Sequence, residues 1–188
     1  MSTDRTAALF VMLGQTAERA INRTADVVPA QGLFLSPAYD LATFLPDTVR
    51  RAGEAAEAYR LLFVFENYLR ELVVDVLTGD AATNWWDMVP PDVEAEIKKL
   101  EETEETKSWM ALGARDKSAL LTLPQLLKVI EHNWRKAFEE IVRDRALLQE
   151  ARLLVHLRNT ICHMTTIPEE ELARVRQTMR DWFRAVAP

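Results

Sequence analysis

Apolar residues recur every three or four positions along most of this chain, a spacing that predicts amphipathic α-helices. The pattern predicts a first helix over residues 5–25. Proline, glycine and polar residues interrupt it from Asp26 to about Asp40, which predicts a loop. A long helix is predicted to begin at Pro46, a residue suited to a first helical turn, and to end at Thr78-Gly79-Asp80.

The long helix contains the most apolar segment of the chain. The run Leu61-Leu62-Phe63-Val64-Phe65 is apolar on every side, so we expect this helix to be the central and most buried one of a bundle. The recurring apolar positions of the helix are Val49, Ala52, Ala56, Tyr59, Phe63, Val73 and Leu77.

The rest of the chain is also predicted to be helical. A connector with Trp85-Trp86 precedes a charged helix from Asp92 to about Thr106. Thr122 and Gln125 form a capping-box pattern that begins a helix reaching about Arg143, and helices over about 146–163 and from Glu169 onward follow. The inward positions are predicted to be Leu127, Ile130, Trp134, Phe138 and Ile141 in the helix after Thr122, and Leu172, Val175, Met179, Trp182 and Val186 in the last helix.

No strand is predicted from this pattern. The fold class is therefore predicted to be all-α, a bundle of four to five helices with an extra N-terminal helix. We expect two parts, an N-terminal helix and loop arm (residues 1–45) and a helical bundle domain (residues 46–188).

Composition and charge narrow the function classes. The 188 residues carry a net charge of −6, so any contact with nucleic acid is expected to be local. Neither a dinucleotide-binding fingerprint nor a phosphate-binding loop motif occurs in the sequence. Cys162 is the single cysteine, which excludes an internal disulfide and favours a reducing, cytoplasmic location. The polar N-terminus and the short apolar runs predict neither a targeting segment nor a membrane span, which needs about 20 residues.

Glu66 is the first candidate for chemistry. It lies on the apolar face predicted for the long helix, with Arg70 one turn later. An ionisable residue on an apolar face must be paired or functional. Two hypotheses stay open: Glu66 and Arg70 form a buried pair that fixes the helix, or Glu66 orients an arginine elsewhere in the fold.

The second candidate is the polar segment at the end of the helix over 146–163. At about 100° per residue, Arg158 and His163 flank an apolar line through Val155 and Cys162. Asn159 precedes His163 by four residues, so its amide is placed to hydrogen-bond one imidazole nitrogen and leave the other free for proton transfer. An arginine that neutralises a phosphoryl group, beside a histidine that moves a proton, needs no metal.

The other histidines have a structural interpretation and a functional one. His156 is interpreted as a surface residue rather than a second proton-transfer group, and His132 as a solvated one. A metal site built from His156, Glu66 and His163 has no supporting ligand spacing, so no metal is predicted.

Arginines and tryptophans outside these segments leave alternatives open. The stripe of Arg176, Arg180 and Arg184 is interpreted as a solvated face or as a track for RNA phosphates. Trp134 and Trp182 are predicted to be core residues. The remaining tryptophans would seal the bundle end, stack a base or fill an interface; they are Trp85, Trp86 and Trp109.

Several of these residues resemble one family. Arg158, four residues and then His163, with Asn159 in the polar slot, are similar to the Arg-His signature of the HEPN superfamily (higher eukaryotes and prokaryotes nucleotide-binding). The segments over residues 59–70, 85–86, 123–134 and 157–159 resemble, in that order, the subgroup related to the HEPN domain of a transcript quality-control endoribonuclease. The resemblance covers about residues 54–186. Cys162 departs from it, because the family usually has a small residue such as alanine there.

The resemblance implies a homodimer in which the two Arg-His motifs form one composite, metal-independent endoribonuclease site with no cofactor. His163 then assists the 2′-hydroxyl attack or protonates the leaving oxygen, Arg158 stabilises the pentavalent phosphate, and Asn159 positions either of them. Glu66 and Arg70 support this site. The implied role is that of a toxin or antiviral-defence effector acting on RNA, with an inhibitory or activating protein partner.

Two alternatives to this activity stay open. One is a HEPN dimer that binds RNA, a nucleotide or a protein partner without cutting. The other is a purely structural ion pair between Arg158 and Glu66, in which case loss of the arginine leaves a buried charge unpaired.

Overall fold

The computed structural model describes Gly14 and residues 31–79, 84–107 and 116–186. The chain forms two compact units, Met1–Glu54 and Ala55–Pro188. Apart from Gly14, the helix predicted over residues 5–25 lies outside the described residues, as does Trp109. The division into an arm and a bundle at residue 45 stays a prediction.

A small hairpin occupies part of the first unit. Strand β1 (Phe34–Ser36) pairs antiparallel with β2 (Tyr39–Asp40), and helix α1 (Leu41–Phe44) follows. The Asp40 carboxylate joins these pieces, because it accepts the backbone N–H groups of Leu33 at 2.8 Å and Ala42 at 3.0 Å. The loop predicted up to Asp40 was wrong at its end, since strands of three and two residues are too short to show an alternating pattern.

The second unit confirms the all-α prediction. It contains most of α2 (Pro46–Thr78), a 3₁₀ turn (Trp85–Met88), α3 (Pro91–Thr106) and a second 3₁₀ turn (Lys117–Leu120). Then come α4 (Leu123–His132), a π-helical turn (Trp134–Phe138), α5 (Glu139–Val142), α6 (Ala146–Cys162) and α7 (Glu169–Val186). The predicted ends of α2 and start of α4 are confirmed. The backbone N–H of Thr122 donates to the side-chain oxygen of Gln125 at 2.9 Å, as a capping box requires.

The buried face of α2 differs from the predicted one. Its core residues are Ala58, Leu62, Phe65, Leu69, Val73 and Leu77, while Tyr59 and Phe63 are 53% and 54% exposed. Ala52 and Ala56 are exposed as well. Phe63 and Val73 are ten residues apart, or about 80° out of phase at about 100° per residue, so they cannot belong to one narrow face. The apolar run over residues 61–65 could not reveal the correct face, because it is compatible with any helical phase.

A break at Asn133 divides the helix that was predicted to run to Arg143. The buried amide of Asn133 donates to the carbonyl oxygens of Val129 at 3.0 Å and Met88 at 2.9 Å, and the π-helical turn begins at the next residue. The wider turn shifts the helical phase by about one position. Val142 is therefore fully buried where Ile141 was predicted to point inward.

The core of the second unit is continuous from α2 to α7. The rings of Phe65 and Trp182 meet edge to face with their centroids 5.7 Å apart, and α6 packs against α4 and α7. Trp134 and Trp182 are buried as predicted. The predicted inward residues of α7 are buried except Val186, which is half-buried.

Glu131 ties α4 to the chain around α6. Its carboxylate accepts Nη2 of Arg145 at 3.1 Å and also pairs with Arg152. Burial raises the pKa of Glu131, but hydrogen bonds and charge from the two arginines outweigh this effect and hold the pKa below its usual value. The contribution of Glu131 to stability is therefore present above the unfolded pKa of about 4.3 and is lost as the pH falls through the lower folded pKa.

We expect Glu131→Gln to flatten the dependence of the unfolding temperature on pH in acid. At pH 6 the wild type should melt about 2 °C above the variant, and the gap should close towards pH 3. Circular dichroism melts between pH 3 and pH 6 measure this difference. Glu139→Gln is the matched control, because Glu139 is exposed and its side chain has no ion pair within the described ranges. Equal curves for wild type and Glu131→Gln would contradict the expectation.

Candidate functional site

A cleft of about 310 Å³ lies between α2 and α6 in the second unit. One wall is the exposed side of α2, including the two aromatic residues that were predicted to be core. The other wall is the last turn and a half of α6. The lining residues are Tyr59, Leu62, Phe63, Glu66, Asn67, Arg70, Ala119, Arg158, Ile161 and Cys162.

Glu66 connects the two arginines of the cleft. Oε1 accepts Nη2 of Arg70 at 3.4 Å, and Oε2 accepts Nε of Arg158 at 3.2 Å. The Glu66 side chain is only 15% exposed, and that of Arg158 is 26% exposed. The structure contains the contact expected from each hypothesis for Glu66. The carboxylate pairs with Arg70 within α2, and it also bonds Arg158, which is 92 residues away in sequence.

Arg70 is fixed on every side. Its Nε donates to the carbonyl of Ser118 at 2.8 Å, and its Nη2 donates to the carbonyl of Leu121 at 2.9 Å. Nη1 donates to the side-chain oxygen of Asn67. Through these hydrogen bonds Arg70 joins α2 to the segment that leads into α4. It also holds the Glu66 carboxylate in position.

Arg158 keeps two nitrogens free. Only Nε is bonded, and Nη1 and Nη2 have no hydrogen-bond partner in the part of the chain that the structure describes. Two guanidinium groups and one carboxylate leave the cleft with an excess of one positive charge. A guanidinium held by one edge, with its other edge open to a cleft, is suited to bind a phosphate in two-pronged fashion.

His163 and Asn159 lie outside this cleft. His163 is exposed at the C-cap of α6, where its backbone N–H donates to the carbonyl of Asn159 at 3.0 Å. Both side chains are described, and no hydrogen bond joins them, so the predicted contact between the Asn159 amide and the imidazole is not found. A single chain therefore brings Arg158, Glu66 and Arg70 together but separates them from His163.

The apolar line predicted on α6 is also displaced. The buried face consists of Leu147, Leu148, Ala151, Leu154, Leu157 and Ile161. Val155 is only half-buried, and Cys162 is an exposed free thiol that lines the cleft. The predicted apolar line ran through Val155 and Cys162. The buried face consists mostly of leucines, and its centre lies well away from that line around the helix axis.

The comparison with family models matches residues 60–187 to a model described as Swt1-like HEPN. The match covers more than half of the chain and includes every residue that lines the cleft except Tyr59. The chain belongs to the Swt1-like HEPN family. Comparisons with curated proteins and with solved structures found no match. A HEPN domain indicates a nuclease-type or RNA-related role, and such domains typically dimerise and bind RNA.

The three arginines of the stripe pair with other side chains of this HEPN bundle. Arg176 donates to Glu169 at 2.7 Å and pairs with Glu57, and these hydrogen bonds raise the pKa of Arg176 above its usual value. Arg180 donates to Gln177, and Arg184 lies 3.8 Å from Asp181. This pairing favours the interpretation as a solvated face over a track for phosphates.

The aromatic residues before α3 close one end of the HEPN bundle. Trp85 and Trp86 meet edge to face at 5.4 Å, and both are half-buried against the core. The Lys117 ammonium lies 4.6 Å from the centre of the Trp86 ring. Among the interpretations of this pair, the packing favours sealing of the bundle end.

The described residues contain no metal-binding cluster and no membrane-spanning helix. No group of three or more His, Cys, Asp or Glu residues there is arranged to hold a metal ion, and His156 and His132 are both exposed. No helix in the described ranges is long and apolar enough to cross a membrane.

Several residues of the cleft were not assigned to a site by the sequence, among them Tyr59, Phe63 and Asn67. The two aromatic rings lie 5.9 Å apart on the exposed side of α2. A helical phase taken from Leu62, Phe65 and Leu69 would have placed the rings of Tyr59 and Phe63 about 90° and 130° from the centre of the buried face.

Proposed function

We propose that this HEPN protein is a metal-independent endoribonuclease that acts as a homodimer. Arg158 and His163 of the two copies form one composite site. The 2′-hydroxyl of the RNA attacks the adjacent phosphorus, the bond to the 5′ oxygen breaks, and the products are a 2′,3′-cyclic phosphate and a free 5′-hydroxyl. One His163 takes the proton from the 2′-hydroxyl or gives a proton to the leaving oxygen.

The observation that carries this proposal is the half-bonded guanidinium of Arg158. Glu66 accepts Nε, while Nη1 and Nη2 have no partner among the described residues and Arg158 lines the cleft, so these two donors are available to a bound phosphate. Charge that develops on the phosphate oxygens is stabilised most by donors that are already aimed at it. Asn159, whose side chain has no partner in the described chain, positions the RNA or the imidazole.

The separation of His163 from the Arg158 cleft supports a composite site. The two residues are five positions apart, or about 140° around the helix, so they point in different directions from one helix. A second copy of α6 supplies a histidine to the arginine of the first. The exposed rings of Tyr59 and Phe63 beside the cleft provide apolar surface for such a contact.

The same separation is the observation that favours a second candidate function. If the two copies do not bring Arg158 and His163 together, the cleft binds the phosphate of an RNA, a nucleotide or a partner without cutting. For the cutting enzyme we propose the role of a toxin or antiviral-defence effector. The activity of a protein that cuts cellular RNA has to be regulated, so the proposal includes an inhibitory or activating protein partner.

Cleavage of RNA in excess EDTA tests the activity. The purified full chain is expected to cut total cellular RNA and a defined oligoribonucleotide, leaving 2′,3′-cyclic phosphate ends that mass spectrometry identifies. The matched control is the same oligonucleotide with a single 2′-deoxy residue at the cleaved position, which lacks the attacking group and should resist cutting there. A folded dimer that leaves RNA intact would support the non-cutting alternative.

A further inference from the structure

A second cleft of about 540 Å³ lies between α6 and the start of α7. It is formed by one side of α6 and by the connection that leads into α7. Its lining residues, which define the α6–α7 groove, are Arg152, Leu153, His156, Leu157, Thr160, Thr166, Ile167, Pro168, Glu171 and Arg174. A volume of several hundred Å³ is typical of sites for small organic groups such as a nucleotide.

The α6–α7 groove has an apolar part. Leu153 is 57% exposed, although it lies on a helix with an otherwise well-buried apolar face. Ile167, which also lines the groove, is half-buried, and the adjacent Pro168 is exposed. An exposed aliphatic surface of this kind contacts the flat face of a base or the carbons of a ribose.

Both arginines of the groove have donors to spare. Arg174 donates Nε to Glu171 at 2.9 Å and Nη2 at 3.5 Å, which leaves Nη1 without a partner among the described residues. Arg152 uses its Nη atoms on Gln149 and Glu131, while its Nε has no such partner. The hydroxyl of Thr160 donates to the carbonyl of His156 at 3.0 Å, so its oxygen is available as an acceptor.

His163 is not a lining residue of the α6–α7 groove, but it lies on the same side of α6 as one of them. His156 lines the groove, and His163 follows it by seven residues, which is about two turns and places both on the same side of the helix. The distance along the helix axis is about 10 Å at about 1.5 Å per residue. Thr160 lies between them, so polar groups mark the whole path from the groove to His163.

We propose that the α6–α7 groove binds one nucleotide of the RNA substrate, next to the phosphate that is cut. The base or ribose lies on Leu153 and Ile167, and a phosphate oxygen accepts the free donor of Arg174. This inference rests on the proposed function for its orientation towards His163. It assigns to the chain a substrate contact outside the Arg158 cleft, and it predicts that RNA on one side of the cut contributes to affinity.

Binding of short oligonucleotides tests the groove without requiring cleavage. The probes are fluorescein-labelled oligoribonucleotides of three to eight residues with 2′-fluoro sugars, which lack the attacking hydroxyl. Fluorescence anisotropy with the full chain is expected to show about a tenfold gain in affinity at the length that first reaches the groove. Arg174→Ala should remove this gain and reduce the slope of log affinity against log salt by about 0.7, the loss of one phosphate contact.

Two variants separate direct contact from a change in folding. Glu171→Gln removes the carboxylate that competes for Arg174, so it should tighten binding about threefold, an effect that simple loss of structure would not give. Arg184→Ala removes an arginine from the same helix whose side chain is 76% exposed, and it should keep both the length effect and the salt slope.

The possible results distinguish this proposal from the endoribonuclease proposal. RNA cutting by a wild type whose length effect survives Arg174→Ala overturns the groove and leaves the activity standing. A length effect that depends on Arg174 in a protein that does not cut supports the groove alone. Failure to bind any probe overturns the groove. Binding of mononucleotides that depends on Arg174, with no gain from length, identifies a site for free nucleotides and overturns the RNA contact.

Discussion

His163→Ala is expected to lower the rate of RNA cleavage by about 10² to 10⁴ while leaving the fold intact. A positioned group that transfers a proton in the transition state contributes an acceleration of this size. The fold should tolerate the change, because the His163 side chain is exposed and the residue caps α6 through its backbone N–H. Single-turnover cleavage of a labelled oligoribonucleotide measures the rate, and a thermal melt checks the fold.

His132→Ala is the matched control for this loss. His132 is also an exposed histidine at the end of a helix, and it lies outside both clefts. Its replacement should leave cleavage unchanged. A folded His163→Ala protein that cuts as fast as the wild type would remove His163 from the proposed mechanism.

Arg158→Ala is expected to lower cleavage by about 10² to 10³ at a small expense in stability. Loss of one aligned donor to the developing charge accounts for the change in rate. The change in stability should be only about 1 kcal/mol, because Arg158 is 26% exposed and Glu66 keeps its partner Arg70 after the substitution. Urea denaturation measures the free energy of unfolding beside the cleavage rate.

Stability decides between the catalytic and the purely structural hypotheses for Arg158. A structural ion pair in the core predicts that the substitution destabilises by about 3 to 5 kcal/mol, since it would leave a buried charge alone. Arg158→Lys adds a second test. Lysine keeps the charge but loses the planar fork, so it should preserve stability and still cut slowly. A lysine variant with full activity would contradict two-pronged binding of phosphate.

The helix ends that were predicted correctly are those set by local chemistry. Pro46, the Thr78-Gly79 stop and the Thr122 to Gln125 capping box each act within one turn of the chain. The family resemblance was likewise predictable from the order of several short motifs, and the match over residues 60–187 confirms it. The hairpin before α1 was missed, because strands of two and three residues carry too little pattern.

Helix phase was less predictable, because it depends on neighbours that the sequence does not show. The apolar run before Glu66 fits several phases, so Tyr59 and Phe63 were placed inside the core when they line the cleft. The π-helical turn after Asn133 arises from an amide that bonds Met88, a residue 45 positions away. No local periodicity contains that contact.

The site was predicted in its parts more than in its arrangement. The rule that an ionisable residue on an apolar face needs a partner led to both Glu66 and Arg158, and these two residues do meet. The contact between Asn159 and His163 was wrong, because helical spacing makes two side chains neighbours without deciding what each bonds. The roles of these residues in catalysis stay predictions.

The anchoring of Arg70 has a consequence for how the cleft responds to a ligand. Arg70 is held in place by the carbonyls of Ser118 and Leu121. It therefore continues to neutralise the Glu66 carboxylate when Arg158 also interacts with a phosphate. The arriving anion therefore does not have to break an existing partnership in order to be bound. Water molecules would have to reorganise around the anion at each encounter. In the cleft, the charged groups are already aligned when the chain has folded.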